Sequence, residues 1–190
     1  MDSYPPPQQT HWPEGTIFTV GHSTLPIDRF IAVLKSCGIE RLVDIRTIPR
    51  SRRNPQFESP ALAGSLRSAG IEYCHLQGLG GLRRPRKDSP NTGWRNESFR
   101  GYADYMQTEA FERELETLID LSREKRVAIM CAEAVPWRCH RLLVSDALIT
   151  RGIPVIDIFS ETDSRPHKLT AFARVNGMQI TYPPDQATLL

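Results

Sequence analysis

The sequence predicts an α/β domain of three layers, a mainly parallel central sheet of about five strands with helices on both faces. Three observations predict it. Short β-branched runs alternate along the chain with segments of helical periodicity, the signature of successive βαβ units. One run, Val127-Ala128-Ile129-Met130, is apolar at every position, as a parallel strand buried on both faces requires. The length of 190 residues suits one domain with a full core, and no internal repeat divides it.

Residues 1–15, which contain Pro5-Pro6-Pro7, read as a flexible N-terminal arm, residues 16–184 as the single domain and residues 185–190 as a tail. Thr16 to Val20 is the first strand and ends at Gly21-His22-Ser23. Ile27, Phe30, Ile31 and Leu34 fall at i, i+3, i+4 and i+7, which predicts a helix capped by Ser23 or Thr24 and ended by Gly38. Arg41 to Ile45 is the second strand, and a polar loop runs from Arg46 to Phe57. Ser59-Pro60 opens a helix that stops at Gly70, and Ile71 to His75 is the third strand. Gln77 to Ser98 is rich in glycine, proline and arginine, and loops this long in compact domains are usually functional or partly disordered. Helical spacing resumes with Tyr102, Tyr105 and Met106, then Phe111, Leu115, Leu118 and Ile119. Val127 to Met130 is the fourth strand, Cys139 to Arg151 a helix, and Pro154 to Ile158 the fifth strand. The tail is expected to add a helix and a short strand at Met178 to Tyr182.

A net charge of +2 lacks the basic footprint of a dedicated nucleic-acid binder, and no recognised nucleic-acid motif is present. No apolar run is long enough to cross a bilayer, and the N-terminus lacks the basic and apolar regions of a signal peptide. The expectation is a cytoplasmic protein without membrane association, whose four cysteines, Cys37, Cys74, Cys131 and Cys139, are reduced. Cys37 and Cys74 read as core packing. The oligomeric state is left open.

In open α/β sheets ligands bind beyond the carboxyl ends of the strands. The residues found there are His22, Asp44, Arg46, His75, Cys131, Glu133, Arg138, Cys139, His140, Arg141 and Asp157. Cys131 ends the buried strand, ahead of a helix start and two arginines, an environment that favours the thiolate; the competing reading is an inert buried cysteine. Glu133 suits a general acid or base if burial raises its pKa, or an ion pair with Arg138 or Arg141. Asp44, followed by Arg46, reads as a catalytic group or as half of a rim salt bridge, and His22 as an acid/base or a helix cap. Cys131, Cys139 and His140, with His22 or His75, offer donors suited to zinc or iron, although the spacing matches no closed zinc pattern. Adjacent Cys-His ligands would also fit poorly on a helix.

Two basic segments, Arg50-Ser51-Arg52-Arg53 and Arg83 to Lys87, suggest an anionic substrate if they overhang the same rim. Trp94, Phe99 and Tyr102 read as loop anchors, or as a surface on which bases stack.

Thr19-Val20-Gly21-His22-Ser23, Val43-Asp44-Ile45-Arg46 with Pro49 and Ser51, Leu79-Gly80-Gly81, Gly101 to Tyr105, and Cys131-x-Glu133 through Cys139-His140-Arg141 together resemble the DUF488 family of bacterial and archaeal proteins of uncharacterised function. The resemblance spans about Thr16 to Pro184. It implies a compact α/β domain and puts His22, Asp44, Arg46, Cys131, Glu133, Cys139, His140 and Arg141 at the family's motif positions. It brings no reaction. A weaker, architectural likeness links Leu42 to Arg46, and Val127 to Cys131 with Gly152 to Val155, to the Rossmann-like layout of rhodanese-like domains, whose cysteine carries persulfide or phosphoryl groups. Cys131 to Arg138 departs from that pattern. It is one residue longer than a Cys-x5-Arg loop and contains Pro136 and Trp137.

The leading expectation is an enzyme acting on a small anionic substrate, a nucleotide or a phosphorylated or sulfur species. Its catalytic set is Cys131, Glu133, His140, His22 and Asp44, with Arg46, Ser51, Arg138, Arg141, Gly80 and Gly81 binding substrate and no cofactor required. The alternative is a zinc or iron hydrolase or sensor using Cys131, Cys139, His140 and His22. A nucleic-acid-binding accessory protein ranks third.

Overall fold

The computed structural model describes residues 12–184. Residues 1–11 of the expected arm and the tail at residues 185–190 lie outside the described residues. Trp12 to Gly15, the last residues of that arm, lead through a turn into β1. The Pro13 carbonyl accepts from the Thr16 amide and hydroxyl, and Trp12 packs edge-on against Phe18 at 6.0 Å.

Eight strands and five α-helices follow: β1 Ile17–Gly21, α1 Ile27–Ser36, β2 Arg41–Asp44, α2 Ser59–Ser68, β3 Glu72–His75, α3 Glu97–Tyr105, α4 Glu109–Glu124, β4 Val127–Cys131, α5 Arg141–Thr150, β5 Val155–Ile158, β6 Ser164–Pro166, β7 Arg174–Asn176 and β8 Gln179–Thr181. The main sheet has the order β3-β2-β4-β1-β5-β6. Its first five strands are parallel, and β6 adds an antiparallel edge. The five expected strands and the three-layer α/β class are all present.

Side chains alternate across this sheet because successive residues of a strand point to opposite faces. Ile17, Val43, Ile45, Val127, Ile129 and Val155 pack in one core with Tyr102, Phe111, Leu115, Leu143 and Leu148 of α3, α4 and α5. Phe18, Val20, Leu42, Ala128, Met130, Ile156 and Ile158 pack in the other with Phe30, Leu34, Leu62 and Leu66 of α1 and α2. β4 is buried at every position, which is why its sequence is uniformly apolar. The alternation also sorts the strand-end polar groups. Thr19, Cys131 and Asp157 fall on the α5 face, and His22 and Asp44 on the α1/α2 face.

Three local expectations are corrected. Neither Ser23 nor Thr24 caps α1, since the helix begins after Pro26. Ser23 instead takes a left-handed conformation, φ 47°, and its amide donates to the Ala132 carbonyl at 2.9 Å. The helix expected from Cys139 begins only at Arg141, because a 3-10 turn over Pro136–Arg138 is followed by an extended Cys139 at φ −140°, ψ 148°. No helix follows α5 among the described residues. The segment carries the expected strand as β8, paired with β7 across a turn at Gly177, whose φ is 62°.

That C-terminal segment is fastened to the core through His167. Its Nδ1 lies 2.9 Å from Asp157 of β5, and its Nε2 lies 3.0 Å from Asp146 of α5. Both ring nitrogens therefore face carboxylates, an arrangement that only the doubly protonated ring satisfies. Asp146 also accepts from the Tyr182 hydroxyl at 2.9 Å and the Thr170 amide at 3.2 Å. Burial alone would lower the His167 pKa, but its bonds to Asp146 and Asp157 outweigh burial and push it up to about 9. The folded value exceeds that of the unfolded chain, about 6.5. The stabilisation is thus complete below about pH 6.5 and is lost as pH rises towards 9. The urea midpoint of the wild-type protein should fall across this window, while that of His167→Gln stays nearly flat. At pH 6 the variant should be less stable by roughly 3 kcal/mol. A midpoint equally pH-dependent in both proteins would contradict the assignment.

Candidate active site

β4 lies between β1 and β2, with Gly21 paired to Cys131 and Asp44 to Met130. The chain leaves β1 through α1 on one face and leaves β4 through α5 on the other. Their carboxyl ends flank the kind of crevice in which open α/β sheets bind ligands. The strand-end groups form two sets on opposite faces of the sheet; of them Arg46, Cys131, Glu133, Arg138, Cys139 and His140 share one cavity, whereas His22, Asp44, His75, Arg141 and Asp157 lie outside its lining.

On the α5 face, Cys131, Cys139 and His140 meet. The donor atoms of all three lie within 4.8 Å of one another. His140 Nδ1 is 4.0 Å from Cys131 Sγ and 3.6 Å from Cys139 Sγ. Its Nε2 is 3.0 Å from the Ile45 carbonyl, an acceptor only, so Nε2 carries hydrogen and Nδ1 is left to the sulfurs. The extended Cys139 makes this meeting feasible, since the pair sits ahead of the helix rather than on it. The Arg141 amide points at Cys139 Sγ from 3.5 Å.

A hydrogen bond from Cys139 does most to hold the Cys131 thiol well below its usual range; burial opposes this, and His140 and Arg141 add to the lowering. Burial and the charge on Cys131 push Cys139 up. The Arg141 amide thus faces Cys139 Sγ, which in turn lies within 4.8 Å of Cys131 Sγ. Cys37 and Cys74 are held high by burial, as core packing requires.

Arg141 is completely buried. Its Nη2 donates to the Glu133 carbonyl at 2.7 Å and its Nη1 to Thr19 Oγ1 at 3.1 Å, and the Thr19 hydroxyl donates to Asp157 at 2.8 Å. The Arg141 Nε has no partner. Arg141 thus holds the loop after Cys131, and through Thr19 and Asp157 it joins the His167 network. That loop passes over Gly21, where a Cβ would stand 1.8 Å from the Glu133 carbonyl oxygen.

On the α1/α2 face, Asp44 is fully buried and accepts from the Arg46 amide and side chain at 3.0, 2.9 and 2.6 Å and from the Tyr73 hydroxyl at 2.8 Å. Arg46 continues to the Phe57 carbonyl at 2.9 Å and to His22 Nε2 at 3.3 Å. His22 Nδ1 faces the Ser23 carbonyl at 2.8 Å, and the ring stacks on Phe57 with centroids 4.1 Å apart. With Nδ1 donating and Nε2 accepting, His22 is fixed as the neutral tautomer. Burial, aided by Arg46, lowers its pKa accordingly.

A cavity of about 460 Å³ opens where the two sets meet. Cys131, Cys139, His140, Glu133, Gly81 and the arginines Arg46, Arg50 and Arg138 line it. Arg50 and Arg138 are exposed and form no ion pair among the described residues. Glu133 is exposed, with only its backbone carbonyl engaged, so it meets neither the burial nor the ion-pair condition set from sequence. His22, Asp44 and Arg141 stand behind the cavity wall. Ser51 lies outside it and accepts from the Asn54 amide at 3.1 Å. Gly80 packs on Thr47, and Gly81 lies against His140, whose Nδ1 would be 2.5 Å from an added Cβ. Of the two basic segments, only Arg50 reaches the cavity. Arg83 stacks on Tyr105 at 3.6 Å, and Arg86 pairs with Asp88 at 2.7 Å.

Sequence reasoning missed Thr47, Ile48, Leu82, Asn96 and Ser98 in the lining. Thr47, Ile48 and Leu82 come from loops, and Ser98 lies in the first turn of α3, whose Asn96 cap is the one local signal among them. Trp94 is the expected loop anchor, packed on Phe99, Phe172 and Tyr182 at 4.9, 4.8 and 5.5 Å. Buried Tyr102 anchors through its hydroxyl to the Leu79 carbonyl at 2.8 Å, and Phe99 also lines the cavity.

Because a methyl at position 21 meets backbone rather than a flexible side chain, Gly21→Ala should displace the loop after Cys131. It should cost upwards of about 2 kcal/mol in chemical denaturation. An unchanged midpoint would refute the close approach.

No curated protein and no solved structure was found to match the chain. Residues 26–148 match the family model described as a domain of unknown function, DUF488, and that match covers well over half of the sequence. The chain therefore belongs to the DUF488 family.

Proposed function

We propose that the protein is an enzyme that uses Cys131 as a nucleophile on a small anionic substrate. The observation that carries this reading is the position of Cys131 and His140 Nδ1, 4.0 Å apart on a cavity wall that also presents Arg46, Arg50 and Arg138. A volume of about 460 Å³ suits a ligand of nucleotide size or smaller. Arg50 and Arg138 receive the anionic group, and Arg46, held by Asp44 and His22, supplies a fixed positive charge behind it. The Cys131 thiolate attacks the electrophilic phosphorus, sulfur or carbon atom. The leaving group takes the proton that the Cys131 thiol has given up to His140 Nδ1, and the same nitrogen then accepts a proton from the water or other acceptor that releases the thio-intermediate. Such a thiolate needs a reducing compartment, which fits four free cysteines and a cytoplasmic setting.

A second reading rests on the same atoms. Two sulfurs and a nitrogen within 4.8 Å, with Nε2 tied to a backbone carbonyl and a cavity in front, match the ligand set of an open Cys2His zinc or iron site. Elemental analysis of the purified protein separates the two. The nucleophile reading expects substoichiometric metal, whereas one zinc or iron per chain would replace it.

The nucleophile reading is tested by alkylation followed by peptide mass spectrometry. Cys131 should react well below the ordinary cysteine pKa of about 8.5, and faster with anionic iodoacetate than the intrinsic reactivity of that reagent relative to neutral iodoacetamide allows. Arg50→Gln and Arg138→Gln should each slow iodoacetate about threefold and leave iodoacetamide unchanged. A Cys131 that stays unlabelled in metal-free folded protein would defeat the reading.

A further inference from the structure

We infer that Cys131 and Cys139 form a reversible dithiol–disulfide pair, closed when a hydroperoxide enters the cavity. The inference rests on the nucleophile reading of Cys131, is carried by the proximity of the two sulfurs and adds a second cysteine with its own role. Both sulfurs and His140 Nδ1 lie within 4.8 Å of one another. Closing to the bond length of about 2.05 Å asks the two sulfurs to approach by less than about 3 Å. Cys139 sits in extended backbone between a 3-10 turn and α5, where its amide donates to the Pro136 carbonyl at 2.9 Å and its carbonyl accepts from the Leu142 amide at 3.1 Å, so that its side chain is held beside Cys131. The exposed stretch from Ala132 to Ala134 runs from Cys131 at the end of β4 towards the turn that carries Cys139. Its sulfur also receives the Arg141 amide at 3.5 Å, which stabilises Cys139 as the departing thiolate when the disulfide is reduced.

The other two cysteines have no such neighbour. Cys37 packs between α1 and the sheet. Cys74 lies on β3, separated from β4 by β2 and so about 10 Å away, beyond the Cα separation a disulfide spans.

The chemistry balances with a hydroperoxide as the named oxidant. The Cys131 thiolate attacks the peroxide's terminal oxygen, the O–O bond breaks, and Cys131 becomes a sulfenic acid as the alcohol or water departs with a proton from solvent. The Cys139 sulfur then attacks Cys131 Sγ. The S–S bond forms, the sulfenic S–O bond breaks, and the Cys139 proton leaves with hydroxide as water. Two equivalents of a low-molecular-weight thiol restore both thiols and are themselves oxidised to a disulfide. Closure withdraws the nucleophile and prevents its irreversible oxidation to the sulfinic acid.

The test treats full-length, chelator-treated protein with hydrogen peroxide and then maps its peptides. The expected product has lost two hydrogens, contains a Cys131–Cys139 cross-link and returns to the dithiol with dithiothreitol. Dimedone, which traps sulfenic acids, should label wild-type Cys131 only in trace amounts but become its dominant adduct in Cys139→Ser. Cys37→Ser and Cys74→Ser should cross-link as wild type does. Accumulation of Cys131 sulfenic or sulfinic acid in the wild type without a cross-link would overturn the pairing. If iodoacetamide still labels Cys131 at low pH in that case, the nucleophile reading survives alone; if peroxide and alkylating agent both leave Cys131 untouched, both proposals fall.

Discussion

The structure depends on a buried positive charge. Arg141 has no contact with water and no carboxylate in direct reach, and its guanidinium divides between the Thr19 hydroxyl and the Glu133 carbonyl. A charge so enclosed calls for opposite charge close by and partners for its donors, and Nε is the donor atom left without one. Asp157, one hydroxyl away, supplies part of that balance and shares the protonated His167 with Asp146. Two carboxylates and two cations thus form one buried network. It joins β1, β5, α5, the loop after Cys131 and the C-terminal segment that carries His167 and Tyr182.

The fold uses this network to shape chemistry. β4 delivers Cys131 to the edge of the sheet, and Gly21 leaves room for the loop that Arg141 draws across β1. That loop returns through Pro136–Arg138 to an extended Cys139, which brings both sulfurs to His140. On the opposite face Asp44 spends its acceptor capacity on Arg46 and Tyr73, and Arg46 fixes His22 as a neutral ring. The sequence groups His22 and Asp44 with the candidate catalytic groups. Both are saturated, and their observed contacts orient Arg46 towards the cavity.

How much was legible in the sequence follows from the range of the interactions involved. β1 to β5 declare themselves through local apolar runs, and α1, α2 and α4 through local periodicity and stop signals such as Gly38 and Gly70. Cys131 and His140 were readable as site residues because strand ends are where such sheets bind ligands. Asp146 was not, because it lies within the apolar pattern of α5 and its partners His167 and Tyr182 are distant in sequence. β6 was missed because three polar residues, Ser164-Arg165-Pro166, carry no strand periodicity and form an edge only by pairing with β5. The conformation of Cys139 depends on the turn at Pro136 and on the pull of Arg141, and neither is a property of the local pattern.

The central claim is that Cys131 carries a thiolate at neutral pH. The ultraviolet absorbance of thiolate, followed against pH in metal-free folded protein and corrected by the same titration of Cys131→Ser, measures it directly. The difference should already be present at neutral pH and disappear only on acidification, with the remaining cysteines titrating at alkaline pH in both proteins. A difference that emerges only at or above the ordinary cysteine pKa of about 8.5 would contradict the claim and leave Cys131 a buried, inert thiol.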